Sequence, residues 1–226
     1  MLCVISGGAV DISLAQDHAA AVVAMYAGGM EAGAAIADVL FGAVNPSGVL
    51  AATVYKAAWA NASDFLSMAM RTPPGRTHRY LTTHARDEYV LYPWGYGLSY
   101  SNWSATLGGG GWSISAASLI AGANVTATVT LRNTGGPVGS RVVYILLRRE
   151  DPEPSEGWPH QWLPKRGFAK LHAVKAHETA TAEMTVNARD VSRWDEATHR
   201  FTVRAGKYTV GLRDGPVVAT TLTVTA

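Results

Sequence analysis

Hydrophobic and polar positions alternate with period two through the second half of the chain. Val125, Ala127, Val129 and Leu131 are interleaved with Thr126, Thr128, Thr130 and Arg132, which gives a strand one dry face and one wet face. The same alternation recurs at Ala180, Ala182, Met184 and Val186, and at Tyr208, Val210 and Leu212 after Gly206-Lys207. Residues 141–148 read as a strand apolar on both faces. Segments 168–172, 200–204 and 217–225 complete the set, with turns at 133–137 and 214–216. Residues 105–226 thus carry about seven strands, the number expected of an immunoglobulin-like sandwich.

The first half follows other rules. Residues 2–6 are a short apolar run ending at Gly7-Gly8, suited to a central parallel strand. Residues 19–26 fit helix or strand by composition, and their shortness before Ala27-Gly28-Gly29 favours a strand. Residues 30–41 read as a helix, with Ala35, Ile36, Val39 and Leu40 on one stripe and Gly42 where a C-terminal cap belongs. Asn45-Pro46-Ser47-Gly48 is a turn, and residues 49–55 read as another strand. Residues 1–58 are therefore expected to be a partial α/β layered domain. From 59 to 104 periodicity disappears, and prolines 73, 74 and 93 mark an extended connector. The expected division is 1–58, 59–104 and 105–226.

Composition narrows the classes. The chain has 226 residues, 48% hydrophobic and 16% charged, so it is not disordered by composition. A net charge of +2 with dispersed Lys and Arg argues against nucleic acid or an anionic membrane as partner. No apolar run reaches the roughly 18 residues of a membrane span. The single cysteine, Cys3, excludes an intrachain disulfide, so the sandwich is expected to be of fibronectin type rather than antibody type. Asn61, Asn102 and Asn124 open Asn-X-Ser/Thr sequons, which lean toward an extracellular or secretory location. The N-terminus has no basic stretch or long apolar run of a signal peptide, and the opening run at residue 2 suggests a fragment that begins in mid-domain.

The most distinctive stretch is Tyr92-Pro93-Trp94-Gly95-Tyr96-Gly97-Leu98-Ser99-Tyr100, in which rings alternate with glycines. It resembles the YPFGYGLSYT block of the family-3 glycoside hydrolases. GGAVDIS at residues 7–13 resembles the family's GGPVDIS segment, and residues 33–55 resemble its GxAIADVLFGxxNPxGRLPxTxY segment, with Val49 for the usual arginine and Ala51 for the usual proline. Residues 68–71 with 74–80 resemble the MxMR…PGRTYRF segment of the β-xylosidase and α-L-arabinofuranosidase branch, His78 standing for tyrosine. Residues 131–135, 163–171 and 206–208 resemble landmarks of that family's fibronectin type III-like domain. The resemblance implies the C-terminal part of a retaining exo-glycosidase that removes terminal xylose or arabinose from hemicellulose-type oligosaccharides. It implies no cofactor.

In a retaining glycosidase one carboxylate attacks the anomeric carbon while a carboxyl group about 5 Å away protonates the leaving oxygen. The family's nucleophile belongs to an N-terminal (β/α)8 barrel, and its acid/base glutamate lies upstream of GGxVDIS. The resemblance therefore assigns no catalytic residue within this chain, and substrate would be reached through the barrel. Glu31 is the carboxylate that most resembles a candidate acid, but a helix start favours the ionised form, the reverse of what an acid needs. Arg71, Arg76 and Arg79 can bond sugar hydroxyls or tie the connector to the α/β layer through carboxylates and carbonyls, and the second reading is preferred. Trp158 and Trp162, in a loop with Glu153 and Glu156, can stack on sugars, though packing is preferred. His160, His172 and His177 lack the spacing of a zinc site. Ser99 lacks the flanks of a nucleophile elbow, and Gly108–Gly111 lacks the Lys-Ser/Thr of a phosphate loop. The alternative function is a non-catalytic carbohydrate-binding or adhesive module.

Overall fold

The computed structural model describes residues 1–70, 72–81, 83–150, 163–164, 168–212 and 219–226. The turn expected at 214–216 lies outside these residues. The chain forms two compact units, Met1–Leu98 and Ser99–Ala226, an α/β fragment and a β-sandwich.

In the first unit β1 (Leu2–Val4) pairs in parallel with β2 (Val22–Ala24), joined through α1 (Ser13–Gln16). The shortness that favoured a strand at 19–26 is satisfied by three paired residues. Helix α2 (Ala32–Leu40) ends as its sequence requires. The Gly42 amide donates to Val39 O at 3.1 Å with φ at +80°, a conformation glycine adopts without steric cost.

The strand expected over 49–55 contracts to β3 (Val54–Tyr55). The reason lies at Leu50, whose backbone is occupied by the glycine-aromatic block. Leu50 N donates to Tyr96 O and Gly95 N donates to Leu50 O, both at 2.8 Å. Gly97 is required here, because a Cβ would sit 2.6 Å from the Gly48 carbonyl oxygen. β3 pairs antiparallel with β4 (Val90–Tyr92).

The 59–104 segment is not without regular structure. It holds most of α3 (Ala58–Ala62), together with α4 (Thr77–Tyr80) and α5 (Thr83–Tyr89). Helices this short show no apolar stripe, and α5 buries little beyond Ala85. Residues 59–98 group with residues 1–58 because β4 pairs with β3 and the block docks on Leu50.

The second unit contains β5 (Asn102–Gly108), β6 (Trp112–Ser115), α6 (Ala116–Ile120), β7 (Val125–Gly135), β8 (Gly139–Val143), β9 (Ile145–Arg149), β10 (Leu163–Pro164) and β11 (Ala169–Val174). It continues with β12 (Thr179–Val186), β13 (Ser192–Asp195), β14 (Arg200–Val203), β15 (Gly206–Leu212) and β16 (Ala219–Thr225). One sheet has the order β10-β9-β15-β16-β6 and another β12-β7-β5; β8 pairs with β11, and β13 with β14. The single strand expected over 141–148 is two strands broken at Tyr144. Its first half pairs with β11, its second with β15 and β10. Passing from one sheet to another explains why the run is apolar on both faces: Val142, Val143, Ile145, Leu146 and Leu147 are all buried. This break and the β13–β14 hairpin raise the strand number above seven.

The alternation of β7 is realised: Val125, Ala127, Val129 and Leu131 are buried. They join one core with Ile145, Leu147, Met184, Val186, Val210, Leu222 and Val224. The Tyr208 hydroxyl reaches the Arg204 carbonyl at 2.7 Å, four residues upstream, a tyrosine corner of the kind immunoglobulin-like sandwiches carry. Asn133 is fully buried and donates to the carbonyls of Pro137 (3.0 Å) and Val174 (3.2 Å), while its own oxygen accepts from Gly135 N.

Among the described residues, the buried hydrophobics of the first unit are Val54, Leu81 and Ala85; all the others lie in the second. Residues 99–226 expressed alone should therefore melt cooperatively, whereas amides of residues 1–58 in the whole chain should show weak protection from hydrogen exchange. Strong protection throughout 2–55 would refute this. Ile145→Ala should cost about 2–5 kcal/mol from transfer and cavity effects. Asn133→Ala should cost about 1–3 kcal/mol, because buried carbonyls lose their donor. Urea unfolding of residues 99–226 measures both.

Candidate functional site

In open α/β sheets ligands bind beyond the carboxyl ends of the strands. In the first unit those ends release the segment 5–12 after β1 and the segment 25–31 after β2. The second holds Tyr26 at φ +54°, a strained position for a bulky residue.

Asp11 organises the first segment. Its Oδ1 accepts from Ser13 N at 2.8 Å and from Ser13 Oγ at 2.5 Å, and its Oδ2 accepts from Ala57 N at 2.6 Å. These hydrogen bonds, that of the Ser13 hydroxyl first, hold its carboxyl below the usual aspartate range, with Lys56 adding a smaller effect. Asp11 is thus ionised and fixed, an acceptor for a hydroxyl-bearing ligand and a poor general acid. In the same unit, the Tyr92 hydroxyl donates to Gln16 Oε1 at 3.0 Å, and the Tyr92 ring stacks on Tyr96 at 5.1 Å. Burial, and then Tyr96, raise the Tyr92 phenol. Sequence reasoning missed the role of Asp11. Its signal was the Asp-X-Ser spacing within GGAVDIS, the pattern of an Asx turn.

Glu31 stands at the N-cap of α2 without a side-chain cap bond, and it is exposed. Arg76 ties the connector to itself rather than to the α/β layer: its guanidinium donates to the Asp64 carbonyl and its amide to Met70 O at 3.0 Å. It borders a surface hollow of about 140 Å³ with Asp64, Ser67 and Pro74. Arg79 lies on α4. Arg71, Glu153, Glu156, Trp158, His160 and Trp162 lie outside the described residues.

His172 is exposed on β11, and His177 sits in the following turn with its amide on Asn133 O at 2.8 Å. The Ser99 hydroxyl accepts from Ser101 N in a local turn. Gly109 in the 108–111 run adopts φ +80° against the Trp112 ring. Among the described residues no three His, Cys, Asp or Glu side chains stand together, and no helix is long and apolar enough to cross a membrane.

The chain is thus an α/β fragment followed in sequence by a β-sandwich. Residues 1–100 match the glycosyl hydrolase family 3 C-terminal domain, and residues 144–214 match the fibronectin type III-like domain. The chain belongs to glycosyl hydrolase family 3, of which it carries the C-terminal portion.

Two relatives are similar over most of its length. A xylan 1,4-beta-xylosidase of Xylanibacter ruminicola is 34% identical over 206 residues, 91% of this chain and 21% of that protein. A probable beta-glucosidase K of Emericella nidulans is 32% identical over 189 residues, 81% of this chain and 20% of that protein. The chain thus spans about a fifth of these relatives. Among solved structures, a Kluyveromyces marxianus beta-glucosidase in complex with glucose matches with a TM-score of 0.80 at 26% identity, over 99% of this chain and 26% of that one. A family-3 exo-beta-xylosidase in complex with a xylobiose aziridine probe shares the fold, with a TM-score of 0.83 at 22% identity over 100% of this chain and 31% of that one.

Because the Asp11 carboxyl lies below its usual range when folded, its tie stabilises the structure above the unfolded aspartate value and is lost as pH falls through the lower folded value. Asp11→Ala should speed exchange of the Ser13 and Ala57 amides near neutrality, and the difference from the parent should vanish as pH falls below the ordinary aspartate value and through the lower folded one. A carboxyl-carbon NMR titration of Asp11 with its midpoint above the ordinary aspartate value would contradict the assignment.

Proposed function

We propose that this chain is the C-terminal portion of a retaining exo-glycosidase that acts outside the cell or in the secretory pathway. It removes terminal xylose or arabinose from hemicellulose-type oligosaccharides. The observation that carries the sugar class is the likeness to the xylan 1,4-beta-xylosidase over 91% of the chain, supported by the MAMR…PGRTHRY segment. The β-glucosidase relatives favour a second reading in which the terminal sugar is glucose.

Within this reading the chain supplies binding and structure, and the nucleophile comes from a barrel domain. Double displacement needs a nucleophilic carboxylate beside a protonated carboxyl group. Asp11 is held ionised by three donated hydrogen bonds and cannot serve as the acid near neutral pH. Its carboxylate instead offers a fixed acceptor in the segment after β1, and sugar hydroxyls are bound by such fixed donors and acceptors. No cofactor enters this chemistry.

The chain alone should release aryl leaving groups from xylosides, arabinofuranosides and glucosides no faster than buffer, and Glu31→Gln should leave that blank unchanged. Turnover that survives purification and is abolished by Glu31→Gln would overturn the division of labour. In the longer protein carrying this chain at its C-terminus, kcat/KM should be higher on aryl xyloside or arabinofuranoside than on aryl glucoside. The reverse order would replace the pentosidase reading with the glucosidase one.

A further inference from the structure

Every edge of a β-sheet presents unpaired amides and carbonyls, and proteins shield such edges with short strands, prolines or charges. In the second unit the outer strand β10 includes Pro164, and the outer strand β6 has four residues. The outer strand β12 carries Glu183. β5 has no proline or charge, and a register shift interrupts its pairing only at its start, between Asn102 and Trp103. The strand is seven residues long, Asn-Trp-Ser-Ala-Thr-Leu-Gly, and among the described residues it pairs with β7 alone. Such a segment is the composition of a strand-pairing hazard.

Two sequons bracket this strand. Asn102-Trp103-Ser104 opens β5, with Asn102 opposite Gly135 and both Asn102 and Ser104 exposed, while Trp103 packs on the core. Asn124-Val125-Thr126 opens β7 at the other end, beyond the Gly108↔Thr128 pair; Asn124 and Thr126 are exposed and Val125 is buried. The two asparagines are thus on the order of 35 Å apart along the pair of strands. Both project to solvent, so a bulky group at either displaces nothing from the core.

We propose that Asn102 and Asn124 are N-glycan acceptors whose sugars shield the β5 edge from pairing with a second chain. The proposal rests on the secretory reading above. The Asn Nδ2 forms a bond to C1 of the first sugar of a lipid-pyrophosphate-linked oligosaccharide. The sugar–oxygen bond to pyrophosphate breaks, and the amide proton leaves with the lipid pyrophosphate.

The test uses the full chain, led into the secretory pathway of a eukaryotic cell by a removable leader. The outcome therefore stands apart from where the natural protein resides. Peptide mapping after enzymatic glycan release should read aspartate at both 102 and 124. Releasing the glycans from the folded chain should raise concentration-dependent self-association several-fold, as measured by sedimentation. Ser104→Ala with Thr126→Ala removes both sequons while keeping both asparagines, and should do the same. Thr106→Lys, which places a charge on β5, should restore the monomer in that background. Secreted chain with either asparagine unmodified overturns the proposal. Unchanged association after glycan release, or no rescue by Thr106→Lys, overturns the shielding role.

Discussion

An apolar sheet face must be covered, and the two units meet that requirement to different degrees. In the sandwich the inward residues of β7 find Ile145, Leu147, Val210, Leu222 and Val224 across the core. Every strand that alternates can bury its dry face against another that does the same. In the first unit the parallel pair β1–β2 has few partners. Leu14, Met30, Phe41, Leu66 and Met68 are each at least 85% exposed.

The glycine-aromatic block shows how one short sequence can hold a unit together. Gly95 and Tyr96 exchange backbone hydrogen bonds with Leu50. Gly97 allows the close approach to Gly48, and Tyr92 reaches Gln16. Asp11 adds the link to Ala57. Segments far apart in sequence, by 46 residues for Asp11 and Ala57 and by 76 for Gln16 and Tyr92, are thus joined by polar contacts. The same polar network holds a fixed carboxylate, that of Asp11, in the segment that follows β1.

The sequence by itself determined the sandwich, because period-two alternation has one physical interpretation once strands of both sheets are present. It also determined the α2 helix with its Gly42 stop, and the family, through motifs whose order no local propensity would produce. Only the tertiary structure decided where the run at 141–148 breaks, since a strand apolar on both faces looks the same whether it is central or changes sheets at Tyr144. Only the tertiary structure reduced 49–55 to β3, because the competitor for the Leu50 backbone lies some 45 residues further along the chain. The links from Asp11 to Ala57 and from Asn133 to Val174 were hidden for the same reason, since each joins residues more than 40 apart in sequence.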